Sequence, residues 1–375
     1  MVGGSKERRD DMCGVNGVGA RRRESAAARA SVSRRGLCRA AALGLAAVSF
    51  GLVASACSRE PEQAGAEGAA GSANGMRVVA TTAMIGDVAR EVGGDRVRVT
   101  AMMGEGVDPH LYKASPGDVR LLAGADLILH NGLHLEGRLG DVIERMTART
   151  SVVRVTEGIP EDKLMRLAES SDQVDPHAWF DASLWGVVAD RVRDALIEKD
   201  PAGKDLLAAN AAAYGAILDD LHAYAMATLA TIPEPNRVMV TAHDAFGYFG
   251  AAYGLEVLGI QGISTDSEAS LRDINALVDT LVSRRVPAVF IESSVPRKTV
   301  DALIEGCKGR GHSVVVGGEL FSDAMGRAGT LGGTYVGMIV HNVEVVTRSL
   351  GGVVPAQRPA SLAAYLARHA GKGAK

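Results

Sequence analysis

The stretch "AGKDLLAANAAAYGAILDDLHAYAMATLATI", residues 202–232, is a long Ala- and Leu-rich segment that decides the architecture of the chain. Its apolar residues recur at helical spacing, which predicts one buried stripe formed by Leu207, Ala211, Tyr214, Leu218 and Leu221. A helix of about 30 residues is about 40 Å long at 1.5 Å per residue, enough to run along a whole domain. The sequence "PEPN" at 233–236 stops it. We therefore predict one long helix within residues 201–235.

On both sides of this helix, short β-branched runs alternate with amphipathic helical stretches. The runs before it are "RVVATT", "VRVTAMM", "DLILHN" and "SVVRVTE", and those after it are "RVMVTA", "EVLGI", "AVFIES" and "SVVVGG". Strands that alternate with helices of about 10–15 residues are typical of βαβ units and parallel sheets. We predict an α/β fold of two (βα) lobes, residues 76–200 and 236–351, with a polar tail over 352–375. The helical connection favours small lobe movements, because a hinge needs residues that absorb backbone rotation.

The first 57 residues have the build of an export signal. Basic residues, including Arg34 and Arg35, precede an apolar run from Ala40 to Ala54, and small residues lead to Cys57. The run is too short for a membrane span, which needs about 20 apolar residues. We predict a signal peptide over 1–57 with lipidation of Cys57 in its lipobox-like setting. Ordinary cleavage or an uncleaved anchor is the alternative, and "SRRGLCR" leaves general-secretion and twin-arginine export both open.

The composition of the rest of the chain indicates an exported, mildly acidic protein. Residues 58–75 are rich in Gly, Ala, Ser and Glu, which predicts a flexible tether. Beyond Cys57 the only cysteine is Cys307, so a disulfide framework is excluded, and Cys307 is predicted to be a buried small hydrophobe. The chain has 41 Lys and Arg and 44 Asp and Glu. Ten of the basic and four of the acidic residues lie in residues 1–57, so the remainder carries a formal net charge of −9. A negative net charge of this kind does not indicate a protein that binds nucleic acid.

The tripeptide Asp-Pro-His occurs twice, as "DPHLY" at 108–112 and "DPHAW" at 175–179. Proline fixes its own φ and keeps the preceding Asp out of the helical region. The Asp can then accept backbone N–H bonds or orient the imidazole that follows. Each motif is therefore predicted to present a histidine, His110 or His177, in a rigid turn.

Four side chains occupy the ends of strand–helix junctions, where open α/β sheets bind ligands. His110 follows the strand "VRVTAMM", His243 directly follows "VMVTA", Asp323 follows "VVVGG", and His177 precedes a helix that begins near Asp181. Three imidazoles and a carboxylate are a ligand set for a divalent transition metal. Taken singly, each histidine is equally well a hydrogen-bonded loop residue, and Asp323 fits a helix N-cap.

Several longer segments carry a resemblance to a known family. They are "GVDPHLYKASPGD", "ADLILHNGLHLE", "DPHAWFD", "TAHDAFGYFGAAYGL", "GISTDSEAS" and "GELFSDAMG" followed by "GTYVGMIVHN". The chain resembles the metal-binding lipoproteins of bacterial zinc and manganese ABC importers, the cluster A-I or cluster 9 solute-binding proteins. The resemblance implies two α/β lobes joined by a rigid long helix. It also implies one metal ion held in the interlobe cleft by His110, His177, His243 and Asp323.

This resemblance implies a receptor rather than an enzyme. We expect an extracytoplasmic substrate-binding component that captures one Zn²⁺ or Mn²⁺ per chain and delivers it to a membrane permease with its ATPase. We expect a monomer without catalytic residues and without nucleic acid, either lipid-anchored on the outer face of the cytoplasmic membrane or periplasmic. The alternatives are a surface adhesin and an exported zinc metalloenzyme with Asp323 as general base. A catalytic zinc keeps an open position, whereas four protein ligands would close the site.

The sequence leaves the metal open. Three imidazoles and a carboxylate favour Zn²⁺ by intrinsic affinity. The His/Asp-rich loop frequent in zinc-specific relatives is absent, because His134 is the only histidine between Asn131 and Asp175. Manganese-type relatives often have Glu at the third ligand, where this chain has His243.

Other polar and aromatic residues near these loops are predicted to be structural. Asp266 and Glu268 are expected to cap the helix that starts with "LRDINALV". His134 is expected to pack or to face solvent, and Trp179 and Trp185 are expected to lie in the core.

Overall fold

The structure is a computed structural model that describes residues 75–167 and 170–370. The predicted signal peptide with Cys57, the tether up to residue 74, and residues 371–375 lie outside this part of the chain. Within the described residues, no helix is long and apolar enough to cross a membrane.

The first lobe contains a four-stranded parallel sheet with strand order β2-β1-β3-β4. Its strands are β1 (Met76–Thr82), β2 (Val97–Met103), β3 (Leu127–His130) and β4 (Ser151–Arg154). Its helices are α1 (Ala83–Gly93), α2 (Pro116–Ala123) and α3 (Gly137–Met146). Helix α2 begins where the sequence favours it, because Ser115 and Asp118 form a reciprocal capping box with Pro at the first helical position.

A short hairpin and two helices follow the first sheet. An antiparallel pair, β5 (Arg166–Leu167) and β6 (Ser170–Val174), precedes α4 (Ala182–Lys199) and α5 (Lys204–Leu229). Helix α5 has 26 residues and buries all five members of the predicted stripe. It ends six residues before the predicted limit at 235, because Pro233 and Pro235 cannot continue a helix and a 3₁₀ turn forms at Glu234–Asn236 instead.

The second lobe repeats the α/β pattern with two parallel strand pairs. Strand β7 (Val238–His243) pairs with β8 (Glu256–Gln261), β9 (Ala288–Glu292) pairs with β10 (Val315–Leu320), and β7 lies beside β9. The helices are α6 (Gly247–Tyr253), α7 (Leu271–Arg284), α8 (Lys298–Gly309) and α9 (Tyr335–Ser349). The cap of α7 differs from the prediction. Ser270, rather than Asp266 or Glu268, accepts from the Asp273 backbone N–H at 3.2 Å, because it directly precedes the helix.

The last 24 residues are not simply the polar tail that we predicted. Residues 360–370 form helix α10, which buries Leu362, Tyr365 and Leu366 against α5. These residues follow the i, i+3, i+4 spacing of one helix face, a short signal that the many alanines around it obscure.

One apolar core runs through both lobes. Val78 and Leu127 of the first sheet and Phe290 of the second belong to the same buried cluster, which also contains side chains of α1, α4, α5, α9 and α10. The opposite face of the first sheet packs on α2 and α3, and that of the second on α7 and α8. Trp179, Trp185 and Cys307 are buried, as predicted. The α/β class, the parallel sheets and the long central helix are thereby confirmed.

A buried carboxylate joins the two lobes near this core. Asp87 of α1 accepts a hydrogen bond of 2.8 Å from the backbone N–H of Tyr335, the first residue of α9. Burial raises the pKa of Asp87 to about 7, although the bond from Tyr335 opposes the shift. The folded state therefore holds a proton on Asp87 that the unfolded chain releases near pH 4.

Asp87 is expected to make the metal-free protein less stable as the pH rises. The contribution of the protonated carboxyl is fully present below about pH 4 and is lost as the pH passes 7, at up to about 1.4 kcal/mol per pH unit. Urea unfolding at several values between pH 5 and pH 8 measures the slope. Asp87→Asn should flatten it, while Asp141→Asn, which neutralises an exposed carboxylate on α3, should leave it unchanged. Equal slopes for wild type and Asp87→Asn would contradict this assignment.

Candidate metal centre

The structure brings the four predicted side chains together between the lobes. His110 lies in the loop after β2, His177 precedes α4, His243 is the last residue of β7, and Asp323 follows β10. All four are buried, and one candidate ligand atom from each lies within 4.8 Å of the others. The carboxyl ends of β2, β7 and β10 therefore meet at one place between the lobes, as expected for parallel α/β sheets.

Four of the distances between these polar atoms are of the size expected between two ligands of one small cation. The Nε2 atoms of His110 and His177 are 3.3 Å apart, and the Nε2 of His243 is 3.2 Å from Asp323 Oδ2. Asp323 Oδ2 is 3.5 Å from His110 Nε2, and Oδ1 is 3.5 Å from His177 Nε2. For zinc bonds of about 2.0–2.1 Å, the edges of a regular tetrahedron are about 3.3–3.4 Å.

Several of these atoms are buried without a hydrogen-bond partner. Both carboxylate oxygens of Asp323 and the Nε2 of His243 have none among the described residues. Unpaired buried polar atoms are costly and uncommon, and they call for a specific explanation. Three of them facing one point are accounted for by a cation that binds all of them.

The electrostatics of the cluster favour a positive charge at its centre. Burial alone would raise the pKa of Asp323, but His243, His177 and His110 together hold it well below its usual range. Burial lowers the pKa of His110 to about 4, which keeps this imidazole neutral. Burial also acts to lower the pKa of His243, but Glu292 and Asp323 outweigh it and raise that pKa well above the usual value. A metal ion would therefore displace a proton from His243.

Two of the histidines are oriented by buried carboxylates. The Nδ1 of His177 lies 2.7 Å from Asp175 Oδ1, and this oxygen also accepts the His177 backbone N–H at 2.9 Å. The Nδ1 of His243 lies 2.5 Å from Glu292 Oε2, while Glu292 Oε1 accepts the His243 backbone N–H at 2.9 Å. Each carboxylate holds the Nδ1 side of its ring, so that Nε2 faces the centre of the cluster and can bind an ion once it carries no proton. The second Asp-Pro-His motif thus works as predicted.

Glu292 is a residue that the sequence analysis missed. It ends β9, which lies beside the strand β7 that ends with His243, and its side chain is fully buried. The sequence does contain a sign of this role, because Glu292 stands near the end of the predicted strand "AVFIES", as the predicted ligands stand at the ends of theirs. Its role depends on β9 lying next to β7, which the sequence does not specify.

The backbone of the loop that carries His110 packs closely against the turn that precedes α3. A Cβ on Gly137 would lie 2.6 Å from the His110 carbonyl oxygen, and Gly137 has a φ of +44°, so only glycine fits here. The carboxylate of Glu136 accepts the backbone N–H groups of Asn131 at 2.6 Å and Gly132 at 3.0 Å. His134, in the same turn, is exposed and takes no part in the cluster.

Trp179 links the two halves of the site. Its ring packs edge-on against His177 with centroids 5.1 Å apart, and its Nε1 donates to the carbonyl of Ser322 at 3.2 Å, next to Asp323. Tyr335 Oη donates to the Trp179 carbonyl at 2.7 Å. These contacts tie the ligand-bearing turn before α4 to the loop after β10.

Two α/β lobes joined by a long helix, with a buried His₃Asp cluster able to hold a metal ion, define the class of two-lobed metal-binding proteins. Residues 78–349 match the family model described as zinc-uptake complex component A, periplasmic, and the chain belongs to this family. The resemblance noted in the sequence is thereby confirmed.

Known relatives agree with this membership. The chain is 46% identical over 275 residues to the manganese-binding lipoprotein MntA of Bacillus subtilis (strain 168), covering 73% of this chain and 90% of MntA. It is 47% identical over 273 residues to the zinc-binding protein TroA of Treponema pallidum (strain Nichols), covering 73% of this chain and 88% of TroA. The solved structure of the periplasmic zinc-binding protein TroA from Treponema pallidum superposes with a TM-score of 0.72 at 46% identity, covering 74% of this chain and 99% of TroA.

Proposed function

We propose that this chain is the extracytoplasmic substrate-binding component of an ABC importer, and that it carries one Zn²⁺ or Mn²⁺ as cargo between its lobes. His110, His177, His243 and Asp323 are the proposed ligands. The observation that carries the proposal is the convergence of buried ligand atoms from four side chains on one point, three of these atoms without a hydrogen-bond partner among the described residues. The family and the named metal specificities of MntA and TroA support it.

A transport role fits this site better than catalysis. Four protein side chains fill a tetrahedron, and a fifth position is filled if Asp323 binds through both oxygens. A catalytic zinc site instead keeps an open position for water or substrate. Because the carboxylate of Asp323 faces three imidazoles, it serves as a ligand rather than as a general base. We therefore propose that the chain is not an enzyme and has no catalytic residue.

The partners follow from this role. We propose that the chain delivers its ion to a membrane permease with an associated ATPase, and that it does so as a monomer. We further propose that lipid on Cys57 anchors it to the outer face of the cytoplasmic membrane. The lipobox-like sequence supports this, as does the naming of MntA as a lipoprotein. A periplasmic form without the anchor is the alternative.

The chemistry of the donor set makes Zn²⁺ the first candidate for the cargo. Imidazole nitrogens and a carboxylate oxygen are common ligands of zinc, and Mn²⁺ lies at the weak end of the divalent affinity series. Mn²⁺ is the second candidate, because a relative at 46% identity is named as manganese-binding.

A competitive titration tests the proposal. The metal-stripped full-length chain is titrated with Zn²⁺ and with Mn²⁺ against a chromogenic chelator, alongside His110→Ala and the control His341→Ala, which removes an exposed histidine of α9. We expect one ion per chain and a loss of affinity of about 100-fold in His110→Ala only, since one of four ligands is removed. If neither ion bound at micromolar concentration, or if His110→Ala bound as wild type, the metalloenzyme and adhesin alternatives would have to be reopened.

A further inference from the structure

The two Asp-Pro-His motifs are supported differently, although their sequences match. In the second motif, a single oxygen of Asp175 contacts both the backbone N–H and the ring of His177. In the first, Asp108 Oδ1 accepts the backbone N–H of His110 at 2.8 Å. Within residues 75–167 and 170–370, Asp323 is the only carboxylate in ion-pair contact with the His110 ring. Among the described residues, His110 is thus the histidine of the cluster whose Nδ1 has no carboxylate contact, whereas His177 and His243 each have one.

The remaining oxygen of Asp108 is occupied from the other lobe. The hydroxyl of Thr265 donates to Asp108 Oδ2 at 2.5 Å, and these residues are 157 positions apart in the chain. Thr265 belongs to the loop 262–270, which connects β8 to α7, whereas Asp108 lies in the loop between β2 and α2. This hydrogen bond therefore crosses the cleft beside the proposed metal site.

The loop that carries His110 also approaches the second lobe at another place, next to the end of β9. A Cβ on Gly106 would lie 3.8 Å from the carbonyl oxygen of Ser293, so the His110 loop runs close to the end of β9 there. Asp108 and Thr265 are both half-buried, and His110 is slightly more exposed than His177 and His243. The His110 side of the cluster is therefore nearest to solvent.

We propose that the Thr265–Asp108 hydrogen bond is a latch that holds His110 on the ion and sets the rate at which the ion leaves. This inference rests on the proposed function, because it assigns the two residues positioning roles for the proposed cargo. With the latch closed, Asp108 is fixed at both oxygens and the His110 turn is held across the cleft. When the latch opens, the His110 turn is anchored only within its own lobe.

Release then begins at His110. His177 and His243 keep their own carboxylates, Asp175 and Glu292, whatever the position of the 262–270 loop. The ion would lose one ligand of four, water would enter at the vacated position, and dissociation would follow. Opening the latch requires only the movement of surface loops.

Metal release kinetics test the latch. The full-length chain is loaded with Zn²⁺ and mixed with excess chelator, and the dissociation rate is followed by stopped flow for wild type, Thr265→Val and Thr265→Ser. Valine keeps the shape of threonine but removes the donor, and the loss of a hydrogen bond to a carboxylate should raise the dissociation rate at least about tenfold. Serine keeps the hydroxyl and should restore a rate near that of wild type. In both variants the association rate should change less than the dissociation rate.

Two controls separate the latch from a general effect on the loop. Ser267→Ala changes an exposed residue of the same loop and should release Zn²⁺ at the wild-type rate. Asp108→Ala combined with Thr265→Val should be no faster than Asp108→Ala alone, because the bond is already absent. A wild-type rate in Thr265→Val, or equal acceleration in Ser267→Ala, would overturn the latch while leaving the proposed function intact. Absence of Zn²⁺ and Mn²⁺ binding in wild type would overturn both.

Discussion

Replacing Asp323 by Asn is expected to lower the affinity for Zn²⁺ about 1000-fold, which corresponds to about 4 kcal/mol. The substitution keeps the shape of the side chain and removes the one carboxylate that, among the described residues, is in ion-pair contact with all three histidines. Both of its oxygens are buried without a hydrogen-bond partner among the described residues, so no neighbouring group can replace the lost charge. Competitive titration measures the affinity directly.

Thermal unfolding gives an independent measurement of the same loss. A ligand present at 1000 times its dissociation constant stabilises the folded state by about 4 kcal/mol, and Asp323→Asn should lose nearly all of this gain. The matched control is Asp301→Asn, which removes one negative charge from an exposed ion pair with Arg297 on the same lobe. Stoichiometric binding with wild-type affinity in Asp323→Asn would show that the ion does not occupy this cluster.

Replacing Glu292 by Gln is expected to lower metal affinity about 10- to 100-fold while keeping one ion per chain. Glu292 holds the His243 ring and its backbone N–H with its two oxygens. An amide offers only one acceptor for these two donors and removes the charge that makes the imidazole a stronger ligand. The titration described above separates this partial loss from the near-complete loss expected for Asp323→Asn.

A second carboxylate provides the comparison for Glu292. Asp175→Asn changes the support of His177 and should cause a smaller loss, because a single oxygen of Asp175 contacts both the ring and the backbone of His177 and an amide oxygen can still accept from both. Wild-type affinity in both variants would mean that the packing of the rings, and not the carboxylates, orients the histidines.

The proposed ligands could be predicted from the sequence because their placement is local. His110, His243 and Asp323 each follow a recognisable strand, and parallel strands bring their carboxyl ends to one edge. The long helix was equally predictable, since its stripe and its terminating prolines lie within one segment. Such features depend on residues close together in the chain.

The supports of the site could not be predicted because their partners are distant in the chain. Glu292 meets His243 across 49 positions and Thr265 meets Asp108 across 157. These contacts depend on which strands and loops become neighbours, and periodicity does not contain that information. Helix α10 was missed for another reason, since its three buried residues stand among alanines that also suit an exposed segment.

The single apolar interior shared by both sheets limits how the cargo can be exchanged. Separating the sheets to open the cleft would bring apolar side chains into water, at about 2.5 kcal/mol for every 100 Å² uncovered. A few hundred Å² would therefore consume a stability of about 5–15 kcal/mol, the whole margin of a typical domain. We therefore expect the loaded and empty states to share nearly the same interior, so that a permease would distinguish them by their surface loops.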